Sequence, residues 1–168
     1  EADIPVVSLN AGENEAFDAG AFAHFGQEES VAGEAVGERL ADEGIENPIC
    51  VIQAQGHVGL EARCAGIQEH VPSTEILYVE GTDMTQVSST VQARLESSSD
   101  ADAIIGLGSP ITSTILGVVE DTGSEVEVAT FDLNEEIVEA ILDEDVLFAV
   151  DQQPWLQGYL AVDTLWLH

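Results

Sequence analysis

An α/β fold, a parallel sheet with helices on both faces, follows from three features of this 168-residue sequence. Short apolar runs of about five residues recur, each followed by a polar or glycine-bearing corner and then a stretch with helical spacing. The unit repeats at roughly 25–30 residues, the length of a strand–helix step. The runs are continuous rather than alternating, as strands buried on both faces read. Parallel strands joined by right-handed helical crossovers leave helices on both faces of the sheet.

The elements follow in order. Residues 4–9 form a first strand that ends in Asn10, Ala11 and Gly12, and the segment to about Ala21 reads as a loop of glycine and small residues. Residues 22–26 are a short strand-like piece. A helix starts at residues 27–30, with acids in its first turn where the helix dipole favours them. Its apolar stripe is Val31, Ala35, Val36 and Leu40, and Gly44 stops it. Residues 49–52 are a strand, 53–59 a polar corner, and 60 to about 70 a helix with Ala65 and Ile67 facing inward. Residues 75–79 are a strand and 81–83 its corner, followed by a helix over 84–95 with Val87, Val91 and Leu95 in register. Residues 97–99 are a polar turn of serines. Residues 101–105 form a strand, 106–110 its corner, and 111 to about 121 a helix. Residues 126–131 are a strand that ends at Asp132, Leu133 and Asn134, and 135–142 a helix.

The last unit organises the rest. Residues 146–150 are an apolar strand, broken by Asp151, Gln152 and Gln153. Pro154 can take the first turn of a helix, where its missing N–H costs nothing. Leu156, Tyr159, Leu160, Val162 and Leu165 then follow at mostly helical spacing. Proteins of this class bind ligands at the carboxyl ends of strands, so the other strand–helix corners are expected to converge on this one.

Charge narrows the function. The chain carries 33 acidic residues against Arg39, Arg63 and Arg94, with no lysine, for a net charge of −30. Nucleic acid and anionic membranes require positive charge and are excluded as partners. The acids are spread along the chain and no Asp-x-Asp-x-Asp-Gly calcium loop appears. They read as a solvated acidic coat of the kind halophilic proteins carry, screened at molar salt, where the Debye length is about 3 Å. The 45% hydrophobic content excludes a disordered acidic tail. No apolar run approaches the roughly 18 residues of a spanning helix. No secretory leader is expected at Glu1, and the first residues read like the interior of a longer chain. Cys50 and Cys64 either form a disulfide, closing a loop of roughly 15 residues, or stay as two buried thiols. His24, His57, His70 and His168 lack metal-ligand spacing. No nucleophile elbow or phosphate loop is present, so neither an enzyme, a metal nor a cofactor is expected.

Five segments together resemble one family. They are I-P-V-V over residues 4–7, H-F-G-Q-E-E-S-V-A-G over 24–33, E-A-R-C-A-G-I over 61–67, V-A-T-F-D over 128–132 and Q-Q-P-W-L-Q-G-Y over 152–159. In this order they resemble the C-terminal part of periplasmic sugar-binding proteins of the ribose-binding type, which serve ABC importers. The resemblance implies a type I periplasmic-binding fold, two similar α/β lobes joined by a hinge with the sugar held between them. Members are much longer than this chain, which looks like a fragment. Residues 21–150 would be the complete second lobe. Residues 1–20 would be a first-lobe strand and hinge crossover, and 151–168 the hinge return and a first-lobe helix.

The resemblance also implies site residues. Arg63 would donate to the ligand, its planar fork suiting vicinal hydroxyls or a carboxylate. Asp132 would accept from sugar hydroxyls, although the same position could cap the helix that follows. Gln152 would bond the sugar or the crossing strand at the hinge, and Asn10 falls where the family carries an acid or Asn. Glu29 stands in place of a ligand-contacting Asn. That departure suits a different hydroxyl pattern or an amine-bearing ligand, or else caps the helix. Ser109 replaces the amide of the family's Asn-Asp corner, and His57, with Gln55, lies in the corner before Arg63. Trp155 and Trp166 are expected as core anchors of the last helix. The implied partners are a sugar or polyol and an ABC importer membrane permease, outside the cytoplasm of a halophilic microbe. The effector-binding core of a lactose-repressor-like transcription regulator shares the fold and is the alternative. With first-lobe strands lacking neighbours, exposed apolar surface and a homodimer through the incomplete first lobe are expected.

Overall fold

The computed structural model describes residues 4–97 and 100–168, so Ser98 and Ser99 of the expected polar turn lie outside the described residues. The chain alternates strictly: β1 (Val7–Asn10), α1 (Glu13–Asp18), β2 (Ala23–Gly26), α2 (Glu29–Asp42), β3 (Pro48–Ile52), α3 (Val58–His70), β4 (Glu75–Tyr78), α4 (Met84–Ser97), β5 (Ala103–Gly106), α5 (Ser109–Thr122), β6 (Glu127–Phe131), α6 (Glu135–Leu142), β7 (Phe148–Val150) and α7 (Pro154–Leu167).

Five strands form one parallel sheet in the order β4-β3-β5-β6-β7. The two-residue period of a strand divides its side chains between two cores. Cys50, Ile52, Ala103, Ile105, Ala129 and Phe131 face α2 and α3, where Val36, Leu40, Leu60, Cys64 and Ile67 meet them. Ile49, Val51, Ile104 and Val128 face the other way, against Val87 and Val91 of α4 and Ile111, Ile115 and Val118 of α5. The chain order reverses between β3 and β5, and in such sheets the crevice at the carboxyl ends beside the reversal is where ligands bind.

On the first face α2 and α3 cross at backbone contact. A Cβ added to Gly66 would lie 2.7 Å from the amide nitrogen of Glu34, and one added to Gly37 2.7 Å from the carbonyl oxygen of Ile67. These glycines therefore set the separation of the two helices. They also explain why the expected stripes shift: Val31, Ala35 and Ala65 point outward, while Gly33, Val36, Gly37 and Leu40 of α2 and Arg63, Cys64, Gly66 and Ile67 of α3 point in. Cys50 and Cys64 form a disulfide with Cα atoms 5.9 Å apart, tying β3 to α3. Both cysteines are fully buried.

A second, smaller layer departs from the sequence expectation twice. The segment read as a loop contains the helix α1, entered from a left-handed Gly12. Strand β2, expected with the large lobe, pairs in parallel with β1 instead, from Val7 opposite Ala23 to Asn10 opposite Gly26. The sheets therefore divide after Gly26 rather than at residue 21. A short strand's sequence carries no mark of which sheet it joins, since both need the same apolar run. Helix α7 packs on β1 and β2 and buries Gln157 and Ala161.

The rest of α7 faces outward. Trp155 is 77% exposed and Trp166 86%, so neither is the core anchor expected from its size. With Ile4, Val6, Phe17, Phe22, Tyr159, Val162 and Leu167 they leave this small layer with a broad exposed apolar surface, as the fragment reading anticipated. A two-stranded sheet and two helices have too few partners to cover it.

Candidate hinge-side ligand site

Arg63 projects from the first half of α3 toward the carboxyl ends of β5, β6 and β7 and is 4% exposed, beneath the cleft rather than lining it. Its guanidinium lies over the ring of Phe131, the last residue of β6, with 4.5 Å to the ring centroid. Glu29, the first residue of α2, takes Nε–H and Nη2–H on its two carboxylate oxygens at 2.5 and 2.9 Å. Nη2 also donates to Gln152 Oε1 at 2.8 Å, and Nη1 to the carbonyl of Leu107 at 3.3 Å. Gln152 in turn donates through Nε2 to Asp132 Oδ1. One guanidinium thus gathers the carboxyl ends of β5, β6 and β7 and the start of α2.

The small layer joins this network through backbone. Gln157 donates to the carbonyl of Gln152 at 2.7 Å and accepts the amide of Asn10 at 3.1 Å. Asn10, Asp132, Gln152 and Gln157 line a cleft of about 200 Å³. A larger hollow of about 430 Å³ also borders Gln152, lined by His24, Gln27, Leu156 and Gln157 among others, without Asp132, and Arg63 lines neither space.

Backbone conformation marks the same place. Asn10, Asp132 and Gln153 hold φ of 77°, 68° and 52°, left-handed values that cost L-residues about 1–2 kcal/mol each. Such conformations persist where surrounding structure holds them and gather at ligand sites.

Of the residues expected at the site, Arg63, Asp132, Gln152 and Glu29 come together in one network and Asn10 faces Asp132 across the cleft. Glu29 occupies Arg63 rather than capping α2: the cap position is Glu28, which makes no side-chain cap. Ser109 opens α5, half-buried, beside Gly108, which adjoins Gln53 and Asp132. His57 is exposed and caps α3, its Nδ1 accepting the amide of Leu60 at 3.4 Å. Asp132 is not a helix cap; that role falls to Asn134, which accepts the amide of Ile137 at 2.8 Å. Gln53 was not singled out by residue type. It directly follows β3 at the reversal of strand order, donates to Leu107 O at 3.2 Å and keeps its Oε1 buried without a partner among the described residues. Its place directly after a fully buried strand is the signal that points to it. Among the described residues no cluster of His, Cys, Asp and Glu could hold a metal ion.

The periplasmic binding protein domain matches the sequence over residues 1–168. The chain belongs to this family. Among solved structures, a carbohydrate transporter from Acidothermus cellulolyticus 11B, solved in complex with myo-inositol, superposes with a TM-score of 0.95 at 44% identity, covering 99% of this chain and 58% of its own. A periplasmic sugar-binding protein of an ABC sugar transporter from Legionella pneumophila gives 0.90 at 26% identity, covering 98% and 64%. A solute-binding protein from Agrobacterium vitis with bound D-fucose gives 0.84 at 21% identity and shares the fold. No curated protein matches the chain. The chain therefore spans about three fifths of the length of these family members. No helix among the described residues is long and apolar enough to cross a membrane.

Proposed function

We propose that the protein is the larger part of an extracytoplasmic solute-binding protein that captures a sugar or polyol between its two layers and presents it to an ABC importer permease. The observation that carries this reading is a cleft lined by Asp132 and Gln152, with Asn10 contributed from the other layer, and backed by Arg63 through its bond to Gln152. Fixed donors and acceptors of this kind replace the hydration of a polyhydroxylated ligand. The ligand must bind the closed arrangement better than the open one, and closing is a shift of populations. Residues 1–26 and 154–168 belong, on this reading, to a lobe completed by further chain, and residues 29–150 to the second lobe. The acidic coat calls for work in molar salt. The relatives are named as transporter components, which does not favour the transcription-regulator alternative.

A thermal-shift screen in molar KCl tests this, run on the chain and on a version extended upstream, with neutral monosaccharides, polyols and amino sugars. A ligand at 100 times its dissociation constant should add about 2.7 kcal/mol. Asp132→Gly is the control that separates binding from folding. Losing the Gln152 hydrogen bond costs about 1 kcal/mol, and glycine releases left-handed strain of similar size. Stability should stay within about 1 kcal/mol, while affinity falls more than about tenfold, because a charge-assisted ligand bond is gone. Equal loss of both would place Asp132 in the scaffold, and no shift with any sugar would end the sugar reading.

The exposed apolar surface of the small layer has a consequence for the chain alone. Two copies should pair through it, so sedimentation in molar KCl should give a dimer that the upstream extension converts to monomer. A monomer in both cases would show that the surface tolerates water.

A further inference from the structure

We infer that Glu29 is a specificity-determining positioning residue. It fills the fork of Arg63 with an internal carboxylate and so makes the site reject sugar acids in favour of uncharged polyols. The inference rests on the sugar-binding reading above and deepens it.

A guanidinium recognises a carboxylate through two parallel N–H groups on one edge. Arg63 has two such edges. The Nε–Nη2 edge is closed by Glu29, with both oxygens engaged at 2.5 and 2.9 Å. The Nη1–Nη2 edge is divided between the Leu107 carbonyl and Gln152 Oε1. Four of the five N–H groups that arginine offers are therefore occupied, and one Nη1–H remains. A single N–H can donate to a hydroxyl oxygen, but no pair is free to receive a carboxylate. One flat face lies against Phe131.

Charge points the same way. The network holds one cation, Arg63, and two carboxylates, Glu29 and Asp132, so a ligand anion would enter beside an excess of negative charge. Glu29 is 8% exposed and Arg63 4%, so solvent screens this little. Glu29 also holds the guanidinium by two bonds beside Phe131, which fixes where the last N–H points. A surface acid pairing with arginine would do neither. The acidic coat cannot account for Glu29, which is among the few buried charged residues of the chain.

Two measurements decide it. The three arginines give three Nε–H signals in a nitrogen–proton correlation spectrum. Formate titrated against the unmodified protein at constant KCl should leave the Arg63 signal without a saturable shift, and in Glu29→Gln should produce one. A saturable Arg63 response in the unmodified protein overturns the inference, and that measurement stands even if the variant does not fold. The second is calorimetry with D-glucose and D-glucuronate, which differ at one carbon, on the upstream-extended protein. The ratio of their affinities should move toward glucuronate by about tenfold or more in Glu29→Gln, since juxtaposed like charges cost several kcal/mol. An unmoved ratio overturns it. If neither sugar binds either protein, the sugar reading fails, while the formate response of Arg63 in Glu29→Gln still decides the role of Glu29.

Discussion

Arg63→Ala will destabilise the protein by about 3–5 kcal/mol, far more than a surface arginine could. The reason is the partner left behind. Glu29 is 8% exposed and both its oxygens rest on Arg63. Removing one member of a buried ion pair leaves an uncompensated charge, which costs about 3–5 kcal/mol. The same change uncovers Phe131 and releases Gln152 Oε1 and the Leu107 carbonyl. Pairing it with Glu29→Leu removes the stranded charge, so the double variant should recover most of the loss, because well-packed apolar replacements of buried pairs are often neutral. Urea unfolding in molar KCl measures both. A loss below about 1 kcal/mol for Arg63→Ala would mean that water reaches the pair and that it is worth no more than a surface bridge. Arg39, paired with Glu43 one turn away at 2.6 Å and 57% exposed, is the internal comparison and should cost under about 1 kcal/mol.

Removing the disulfide is the second large effect. Cys50 sits in the middle of β3, an inner strand of the sheet, and Cys64 on α3, 14 residues apart in sequence. Closing a loop of about 15 residues restrains the unfolded chain by about 3 kcal/mol in the chain-entropy model. Cys50→Ala with Cys64→Ala should therefore lose about 3 kcal/mol in the same unfolding experiment, with the buried cavity adding to it. Both sulfurs are fully buried, so a reductant with an alkylating reagent should label neither cysteine until urea is added. Rapid labelling in the native state would mean that α3 lifts from the sheet. Cys64 also adjoins Arg63 in sequence, so a ligand screen on the double variant reports whether the cross-link steadies that donor.

What the sequence made legible is what local pattern encodes. The helix over residues 135–142 is found with the bounds expected of it, although its cap is Asn134 rather than Asp132. The strand that ends at Val150 follows from an uninterrupted apolar run, and the one that ends at Phe131 from a β-branched and aromatic run with Glu127 at its exposed start. Arg63, Asp132 and Gln152 were singled out through the family resemblance, and the α/β architecture accounts for their meeting at one end of the sheet. Other features needed the third dimension. Helix α1 is six residues long, too short to show a period. The inward face of α2 was misassigned because its contacts are made through glycine backbone, which a pattern of large apolar residues does not reveal. The two tryptophans point outward because the surface they would cover requires neighbours that the two-stranded layer does not have. The pairing of Glu29 with Arg63 joins residues 34 apart on different helices, and only the close crossing of α2 on α3 brings them together.

The chain passes between its two layers along the segments before α2 and before α7. Glu29 ends the first and Gln152 lies within the second, and both are bonded to the same guanidinium. Arg63 is thus a clasp across both straps. If the small layer swings about them, torque reaches Arg63 from two directions at once, and on the proposed reading a ligand bonded to this network resists that torque. The angle between the layers and the occupancy of the crevice then become a single mechanical variable, read out at one side chain.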